Sequence, residues 1–445
     1  MFLLLVEASY VLGTWHLQVF VRSFGCSANM ADGEVMAGCL AQAGFQLAAS
    51  EAEANILVYN TCAVKGPTEN RIIDALKRAP KGKKLVVAGC LPMINLERLL
   101  REVHLDGVIG PAAGKDIVDV VLRVLEGEKV LELTGSDAKP KLDLPRKQAN
   151  PVISVVPVNY GCLGSCAYCC VVFARGHLRS YSTKEIVDRV QSDFAAGVRE
   201  FWVTSQDTAC YGRDLGNNLA ELLEALGGLA GDFKVRVGMM TPNMVTDMQN
   251  QLIKAFSSDK VFKFLHLPVQ SGDDETLKRM RRFYTASKFK SIVDAFRSAL
   301  PDLTLATDII VGFPGETAQA FENTLKLLEE VKPDVVNVSK FFARPKTAAA
   351  QMQDGLVELA EIKRRSTVAA QLAKRISLDQ NKRWVGWVGE VFVDEKGKVE
   401  DSWVGRNFAY KPTVIKSTDN LLGKMVRVKV VEASTTYLMG RIAEL

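Results

Sequence analysis

The chain lacks any uninterrupted run of about 18 to 20 apolar residues, which is the length that a membrane-spanning helix requires. Its short apolar stretch at residues 2–6 has no basic segment before it and runs into Glu7, unlike a secretory signal peptide. We therefore predict a protein without a membrane span. Residues 1–15 are interpreted as an over-extended start, because the predicted fold needs nothing before residue 17.

The chain also lacks a strong net charge of either sign, and its number of cysteines is odd. Its net charge of +5 over 445 residues permits a nucleic-acid partner without requiring one. The composition, 48% hydrophobic and 24% charged, is that of an ordinary globular chain of two to four domains. Nine cysteines cannot all pair as disulfides, and a reducing cytoplasm that keeps thiols free for metal is predicted.

Three of these cysteines form a compact motif. Cys162, Cys166 and Cys169 have the spacing C-x3-C-x2-C and follow the apolar run at residues 152–158. Three thiolates on one short loop can hold three irons of a 4Fe–4S cluster and leave the fourth iron open. A disulfide loop and structural zinc are the alternatives. Zinc prefers four ligands in paired C-x2-C form, so it fits this loop less well.

A second group of cysteines is predicted from strand order. Strand-like runs at residues 17–21, 56–59, 85–88 and 107–109 alternate with helical segments, which indicates a parallel sheet covered on both faces. The first three runs are each followed by a cysteine, namely Cys26, Cys62 and Cys90. Ligand sites of parallel sheets gather at the carboxyl ends of the strands, so three thiols can converge there.

Buried cysteines are common, and this second pattern is weak by itself. Beside the C-x3-C-x2-C motif it indicates a second metal site. Cys39 has the helical spacing of a core residue. Cys170 and Cys210 have no partners at ligand spacing, and we interpret all three as non-ligands.

Beyond residue 151, six further strand-like runs alternate with helical segments. This predicts an incomplete (βα)6 barrel related to the TIM barrel, with its site on the loops that follow the strands. The runs are residues 153–158, 200–204, 234–239, 262–267, 304–311 and 335–341.

A long basic helix at residues 356–380 follows, and then short alternating runs separated by glycine and charged turns. These runs predict a small antiparallel β-barrel. The predicted α/β organisation has four parts, an N-terminal parallel α/β domain, a linker, the partial barrel and the C-terminal barrel, at residues 17–135, 136–150, 151–380 and 381–445.

These features together resemble the methylthiotransferase family of radical S-adenosylmethionine (SAM) enzymes over about residues 19–445. The resemblance rests on the central cysteine motif, the three single cysteines before it and the C-terminal barrel, which is similar to a TRAM domain. It implies two 4Fe–4S clusters, each with one open iron. The central cluster cleaves SAM to a radical, and the N-terminal cluster carries the sulfur that a second SAM methylates.

The resemblance also implies which loops bind SAM. They follow the second, fourth, fifth and sixth barrel strands, and their expected contacts are Gln206, Asp207, Gln270, Asp308 and Arg344. No catalytic side chain beyond the cluster ligands is expected.

The chain has no proline shortly after Cys169. In this feature, and in the stretches at residues 60–65 and 204–208, it is most similar to the archaeal and eukaryotic branch of the family. That branch implies conversion of N6-threonylcarbamoyladenosine in tRNA, next to the anticodon, to its 2-methylthio derivative. The same chemistry on isopentenyladenosine tRNA or on a ribosomal-protein aspartate is the alternative. A non-catalytic Fe–S protein that binds RNA is an alternative of another class. Expected partners are tRNA, a sulfur donor and an electron donor of flavodoxin or ferredoxin type.

Overall fold

The computed structural model describes residues 17–63, 66–133 and 139–443. The predicted over-extended start, residues 1–15, lies outside the described residues. Among the described residues, no helix combines the length and the apolar character needed to cross a bilayer.

The N-terminal domain contains a parallel sheet of six strands. They are β1 (Gln18–Ser23), β2 (Gln46–Leu47), β3 (Ile56–Thr61), β4 (Lys84–Gly89), β5 (Gly107–Ile109) and β6 (Val130–Glu132). Their order across the sheet is β2-β1-β3-β4-β5-β6. All residues of β3 are buried, as expected of a central strand with both faces covered. The sheet has two more strands, β2 and β6, than the sequence predicts.

Four helices cover this sheet, two on each face. They are α1 (Ser27–Gln42), α2 (Gly66–Lys77), α3 (Cys90–Glu102) and α4 (Asp116–Leu125). Leu57 and Tyr59 of β3 pack with apolar residues of α2 and α3. Ile56 and Val58 face the other way, toward α1 and α4. The alternation follows from the period of two in a β-strand. Helix α3 begins at Cys90 itself, five residues earlier than the sequence pattern indicates.

The central domain is an open barrel of six parallel strands. They are β7 (Ile153–Pro157), β10 (Glu200–Thr204), β11 (Lys234–Val237), β12 (Phe264–His266), β13 (Thr304–Val311) and β14 (Val335–Lys340), with a small hairpin of β8 (Asn159–Tyr160) and β9 (Arg179–Ser180). Two three-stranded sheets, β7-β10-β11 and β12-β13-β14, meet at a parallel bridge between Val235 and Val261. The barrel is not closed between β7 and β14.

Helices pack outside the barrel and leave its interior for polar side chains. They are α5 (Val171–Arg175), α6 (Thr183–Ala195), α7 (Leu219–Gly227), α8 (Pro242–Val245), α9 (Gln249–Phe256), α10 (Asp274–Arg279), α11 (Ala286–Ala299), α12 (Ala318–Val331) and α13 (Leu359–Lys382). Helix α6 begins at a capping box between Ser182 and Glu185. Apolar residues of the outer helices join one large core with Phe201 and Val203 of β10.

The C-terminal domain is a closed five-stranded barrel. Its strands are β15 (Val388–Lys396), β16 (Ser402–Arg406), β17 (Pro412–Lys416), β18 (Met425–Ala433) and β19 (Leu438–Ile442). Their order is β15-β16-β17-β19-β18, and the β17–β19 pair is parallel, whereas the other pairs are antiparallel. The barrel is fastened to the central domain by Lys411, whose Nζ donates to Asp334 at 2.6 Å and to Asn381 at 2.9 Å.

The segment between the first two domains contains neither helix nor strand over residues 139–150. It nevertheless packs closely. The backbone of Lys147 donates to the carbonyl of Glu34 at 2.9 Å, and the backbone of Ala149 donates to the Glu34 carboxylate at 3.0 Å. A Cβ placed on Gly38 of α1 would come within 2.3 Å of the Arg146 backbone. Glycine is therefore required for α1 and this segment to approach so closely.

Candidate active site

The three N-terminal cysteines lie on loops at one edge of the sheet. Cys26 follows β1 and precedes α1, Cys62 follows β3, and Cys90 begins α3 after β4. Gly25, which directly precedes Cys26, has a φ of 109°. A Cβ there would lie 2.4 Å from the Cys62 Cβ and 2.9 Å from its Sγ, so only glycine fits. The loops after β1 and β3 therefore meet closely at Gly25 and Cys62, and the convergence of all three thiols stays a prediction.

Asn29 of α1 organises this edge. Its buried Nδ2 donates to the backbone carbonyls of Phe24 at 2.9 Å and Thr61 at 2.8 Å, which ties the loops after β1 and β3 to one side chain. Its Oδ1 accepts from the Cys90 thiol at 3.7 Å, within the range of a weak sulfur hydrogen bond. Burial raises the pKa of Cys90 to about 12. A bound metal would offset this rise, because metal binding releases the thiol proton.

The central domain supplies a cation to the same place. Arg175 of α5 is 3% exposed, and its Nε donates to Cys90 Sγ at 3.3 Å. Its Nη2 donates to Asn29 at 2.7 Å and to Asp32 at 2.5 Å. Asp32 also accepts from the Tyr160 hydroxyl at 2.6 Å. Arg175 follows Cys169 by six residues, so the two cysteine groups share this short stretch of chain.

The central cysteines lie on the loop after β8. The backbone of Gly164 donates to Cys162 Sγ at 3.1 Å. A Cβ on Gly164 would lie 3.2 Å from Cys162 Sγ and 3.7 Å from Cys166 Sγ, so these two thiols are close neighbours. Arg282, only 8% exposed, donates from Nη1 to Cys166 Sγ at 3.1 Å. Burial raises the pKa of Cys169.

Cys210 lies beside this group, although the sequence gives it no partner. Ligand atoms of Cys162, Asp207 and Cys210 all lie within 4.8 Å of one another. The Cys210 thiol donates to Asp207 Oδ2 at 3.4 Å. A hydrogen bond with Cys210 lowers the pKa of Cys162. Cys210 thus lies next to Cys162 because the turn after β10 folds back onto the cysteine loop, and its interpretation as a non-ligand stays a prediction.

The loops predicted to contact SAM lie at the carboxyl ends of the barrel strands. Gln206 has a buried Oε1 without a hydrogen-bond partner. Asp207 is committed to the protein, since its Oδ1 accepts from the backbones of Ala209 at 3.2 Å and Thr241 at 3.0 Å. Gln206 is thus the freer of the two to meet a ligand.

The other two loops are joined by Gln270 and Asp308. Gln270 has φ of 69°, an uncommon value for a residue other than glycine, and it forms a bridge to β13. Asp308 Oδ2 lies 3.0 Å from His266 Nε2, and Asp308 Oδ1 accepts from Asn337 at 2.7 Å. These side chains line the barrel interior just inside its mouth.

Arg344 lies at the domain interface. It is 2% exposed and forms an ion pair with Glu69 of α2, which Arg98 also contacts at 2.8 Å. Its Nε and Nη1 are buried without hydrogen-bond partners. The SAM contact by Arg344 stays a prediction, because the guanidinium is already paired with Glu69 and also lies beside the Cys170 thiol.

Three residues of this site escape the sequence analysis. Arg175 belongs to a stretch that resembles the family, residues 175–180, but nothing in the sequence indicates that it reaches Cys90. Asn29 and Arg282 carry no motif, and their contacts exist only because distant loops meet.

The cysteine groups have the donor chemistry of iron–sulfur sites. No disulfide joins any of the nine cysteines, all of which lie in the described residues. Each predicted group offers three thiols, and glycines at positions 25 and 164 leave room beside them. The residues therefore fit clusters held by three thiolates.

Comparisons with known proteins extend over the whole chain. Residues 156–328 match the Radical SAM superfamily, residues 18–110 match the Uncharacterized protein family UPF0004, and residues 382–443 match the TRAM domain. A Pyrococcus abyssi protein, the "Probable threonylcarbamoyladenosine tRNA methylthiotransferase", is 39% identical over 96% of this chain and 99% of its own length. The chain belongs to the threonylcarbamoyladenosine tRNA methylthiotransferase family.

A human relative supports the same assignment. The human "Threonylcarbamoyladenosine tRNA methylthiotransferase" is 35% identical and covers 95% of this chain and 74% of its own length. Among solved structures, the radical SAM methyltransferase TsrM from Kitasatospora setae aligns with a TM-score of 0.55 at 14% identity. It covers 75% of this chain and 73% of its own. The TsrM alignment confirms the predicted fold of the central region.

Membership in this methylthiotransferase family confirms three expectations from the sequence. The protein is a radical SAM enzyme, its reaction is methylthiolation of tRNA, and its cofactors are SAM and an iron–sulfur cluster.

Proposed function

We propose that the enzyme converts N6-threonylcarbamoyladenosine next to the tRNA anticodon to its 2-methylthio derivative, using two 4Fe–4S clusters. The observation that supports this proposal is the contact between the stretch after the central cysteine motif and the loops that carry the N-terminal cysteines. Cys170, which follows the central motif directly, donates from Sγ to the carbonyl of Ala63 at 3.5 Å. Arg175 reaches Cys90 at 3.3 Å from the same stretch.

The proposed ligand sets are Cys26, Cys62 and Cys90 for one cluster, and Cys162, Cys166 and Cys169 for the other. When bound, the clusters and SAM supply a radical able to take hydrogen from an unactivated carbon, together with sulfur for that carbon. The chain orients this chemistry. Arg175 and Arg282 direct N–H groups at the sulfur atoms of Cys90 and Cys166, and such donors tune iron–sulfur sites.

The loops after β10, β12, β13 and β14 would hold SAM through Gln206, Asp207, Gln270, Asp308 and Arg344. Gln206 supports this best, because a buried amide oxygen without a partner is costly unless a ligand donates to it. Two SAM molecules serve each turnover, one as the radical source and one as the methyl donor. An electron donor of flavodoxin or ferredoxin type and a sulfur donor complete the proposal, which places the enzyme in the reducing cytoplasm.

The names of the archaeal and human relatives support threonylcarbamoyladenosine over isopentenyladenosine or a ribosomal-protein aspartate. A non-catalytic Fe–S protein that binds RNA has less support, since the relatives are named as enzymes and the buried, unpaired amide oxygen of Gln206 serves no purely structural purpose.

Iron analysis tests the two ligand sets. The reconstituted enzyme should bind about eight irons per chain, and Cys162→Ala and Cys26→Ala should each lose about four. Cys26→Ala should still cleave SAM and should lose methylthiolation. Cys39→Ala, in the core of α1, is the matched control and should keep all the iron. An unchanged iron count in Cys26→Ala would refute the N-terminal cluster.

Nucleoside mass spectrometry of tRNA from a deletion strain tests the substrate. We expect loss of 2-methylthio-N6-threonylcarbamoyladenosine alone. Loss of the isopentenyl derivative instead would refute the choice of substrate.

A further inference from the structure

Arg236, inside the barrel, forms no ion pair with any residue that the structure describes. Arg236 lies on β11 beside Trp202 of β10 in the parallel register. Its neighbours in sequence, Val235 and Val237, are fully buried in the core shared with the outer helices. Successive side chains of a strand face opposite ways, so Arg236 and Trp202 face the barrel interior.

Three aromatic rings fix the position of this guanidinium. Its Cζ lies 5.2 Å from the ring centre of Trp202, 5.3 Å from Phe264 and 5.5 Å from Tyr410. These contacts are cation–π interactions, which attract the charge without neutralising it. Nε of Arg236 is buried and has no hydrogen-bond partner. Among the described residues, the side chain forms no ion pair.

The nearby acids are used elsewhere. Arg406, the other arginine against Tyr410, is neutralised by Asp394 at 2.8 Å and Glu395 at 3.0 Å. Glu200 accepts from Trp202 at 2.5 Å and from Tyr410 at 3.1 Å. Burial raises the pKa of Glu200 to about 8, which disfavours its charged form. Among the described residues Arg236 thus forms no ion pair with these acids, and its buried Nε–H has no acceptor.

The position of Arg236 relates it to the reacting end of the barrel. Thr204 lies two residues beyond Trp202 on β10. Its hydroxyl oxygen lies 2.6 Å from the hydroxyl oxygen of Ser27, which directly follows Cys26. Residues two apart on a strand are separated by about 7 Å, so Arg236 lies roughly one such step below the thiol loops. His266 and Asp308 occupy the level above it.

We infer that Arg236 is a binding site for the carboxylate of the threonylcarbamoyl group on the tRNA base, an inference that rests on the proposed function. The carbon that receives sulfur and the carbon that bears N6 are separated by one ring nitrogen of adenine. A base whose reacting carbon lies at the thiol loops therefore extends its N6 substituent into the barrel. A planar guanidinium with free N–H groups is the side chain best matched to a carboxylate.

A cavity lies next to the aromatic cage of Arg236. It has a volume of about 580 Å³, lies between β14, α13 and the C-terminal barrel, and is lined by Phe264 and Tyr410 of that cage, although not by Arg236 itself. Asn337, which binds Asp308, also lines it.

The test measures binding of one tRNA in two forms, with threonylcarbamoyladenosine and with unmodified adenosine, to the full-length reconstituted enzyme. Arg236→Gln should lose about 10- to 100-fold in affinity for the modified form, the range expected for hydrogen bonds to a charged group. Its affinity for the unmodified form should not change. Arg236→Lys keeps the positive charge and should retain part of the preference for the modified tRNA. This variant keeps the test usable if Arg236→Gln folds poorly.

The matched control is Lys429→Gln, an exposed cation of the C-terminal barrel. It should weaken both tRNA forms equally or neither. Equal weakening of both forms by Arg236→Gln would overturn the inference and assign Arg236 to a phosphate. Weaker binding of SAM with an unchanged tRNA preference would overturn it in favour of the methionyl carboxylate.

The inference and the proposed function fail separately. If the wild-type enzyme forms the 2-methylthio product but Arg236→Gln keeps the full tRNA preference, only the inference is wrong. If the wild-type enzyme neither prefers nor methylthiolates the modified tRNA, the proposed function is wrong and the carboxylate site falls with it.

Discussion

Replacing Arg175 by methionine tests whether the buried ion pair holds the N-terminal and central domains together. The change keeps an apolar stem of similar length and removes the donor to Asp32, Asn29 and Cys90 at 2.5, 2.7 and 3.3 Å. Asp32, only 5% exposed, would keep the Tyr160 hydroxyl as its hydrogen-bond donor among the described residues. Burial raises the pKa of Asp32, and the contacts with Arg175 and Tyr160 oppose that rise.

Removing one partner of a buried pair costs about 3 to 5 kcal/mol, because the other charge stays buried without compensation. Arg175→Met should therefore lower the free energy of unfolding by about that amount. Asp32→Leu alone should also destabilise, since Arg175 then loses its anion. The double variant should be less destabilised than the sum of the two, because removal of both partners leaves no unpaired charge.

The assay is urea unfolding of the cluster-free protein, followed by circular dichroism, so that loss of metal does not contribute. The four proteins form a double-mutant cycle, and we expect a coupling energy of about 2 kcal/mol or more. Additive effects, or a loss under about 1 kcal/mol in Arg175→Met, would refute the reasoning.

Two further predictions concern a glycine and a buried carboxyl group. Gly25→Ala should lose about four irons per chain, because the new Cβ would lie 2.4 Å from the Cβ of Cys62. The control is Gly82→Ala, which has open space around it and a positive φ as well, and which should keep all the iron. Equal iron in both variants would contradict the steric argument. The raised pKa of Glu200, about 8, means that folding keeps a proton on Glu200, so wild-type stability falls by about 1.4 kcal/mol per pH unit as pH rises from about 5 to 8. Glu200→Gln should lack this fall in stability while keeping the hydrogen-bond acceptor for Tyr410. The free energy of unfolding in urea, measured at several pH values, checks this. If the wild-type protein and Glu200→Gln lose stability equally with pH, Glu200 is not the source of the fall.

The long elements of the fold follow from hydrophobic pattern. The predicted strands at residues 200–204 and 304–311 coincide with β10 and β13, because a nearly continuous apolar run of this length is typical of a strand buried on both faces. Strands β2 and β6 have two and three residues at the sheet edges, too few to show a period. The parallel pairing of β17 with β19 depends on how the barrel closes, which local sequence does not encode.

The candidate site, too, was predictable only in part from the sequence. Cysteine identity and strand order predict the loops on which Cys26, Cys62 and Cys90 lie, at one edge of the sheet. The contact of Cys210 with Cys162 was missed, because it depends on the turn after β10 folding back rather than on spacing. Arg236 was missed because a lone arginine in a strand looks like any surface residue, and its aromatic neighbours come from three separate strands and loops.

The segment at residues 139–150 sets the mechanics of the enzyme. Its backbone is fixed to Glu34, and Gly38 admits it against α1, so it cannot serve as a swinging arm between the first two domains. The described part of this segment therefore belongs to the contact between the first two domains. A residue larger than glycine at position 38 would push it away from α1 and disturb both domains at once.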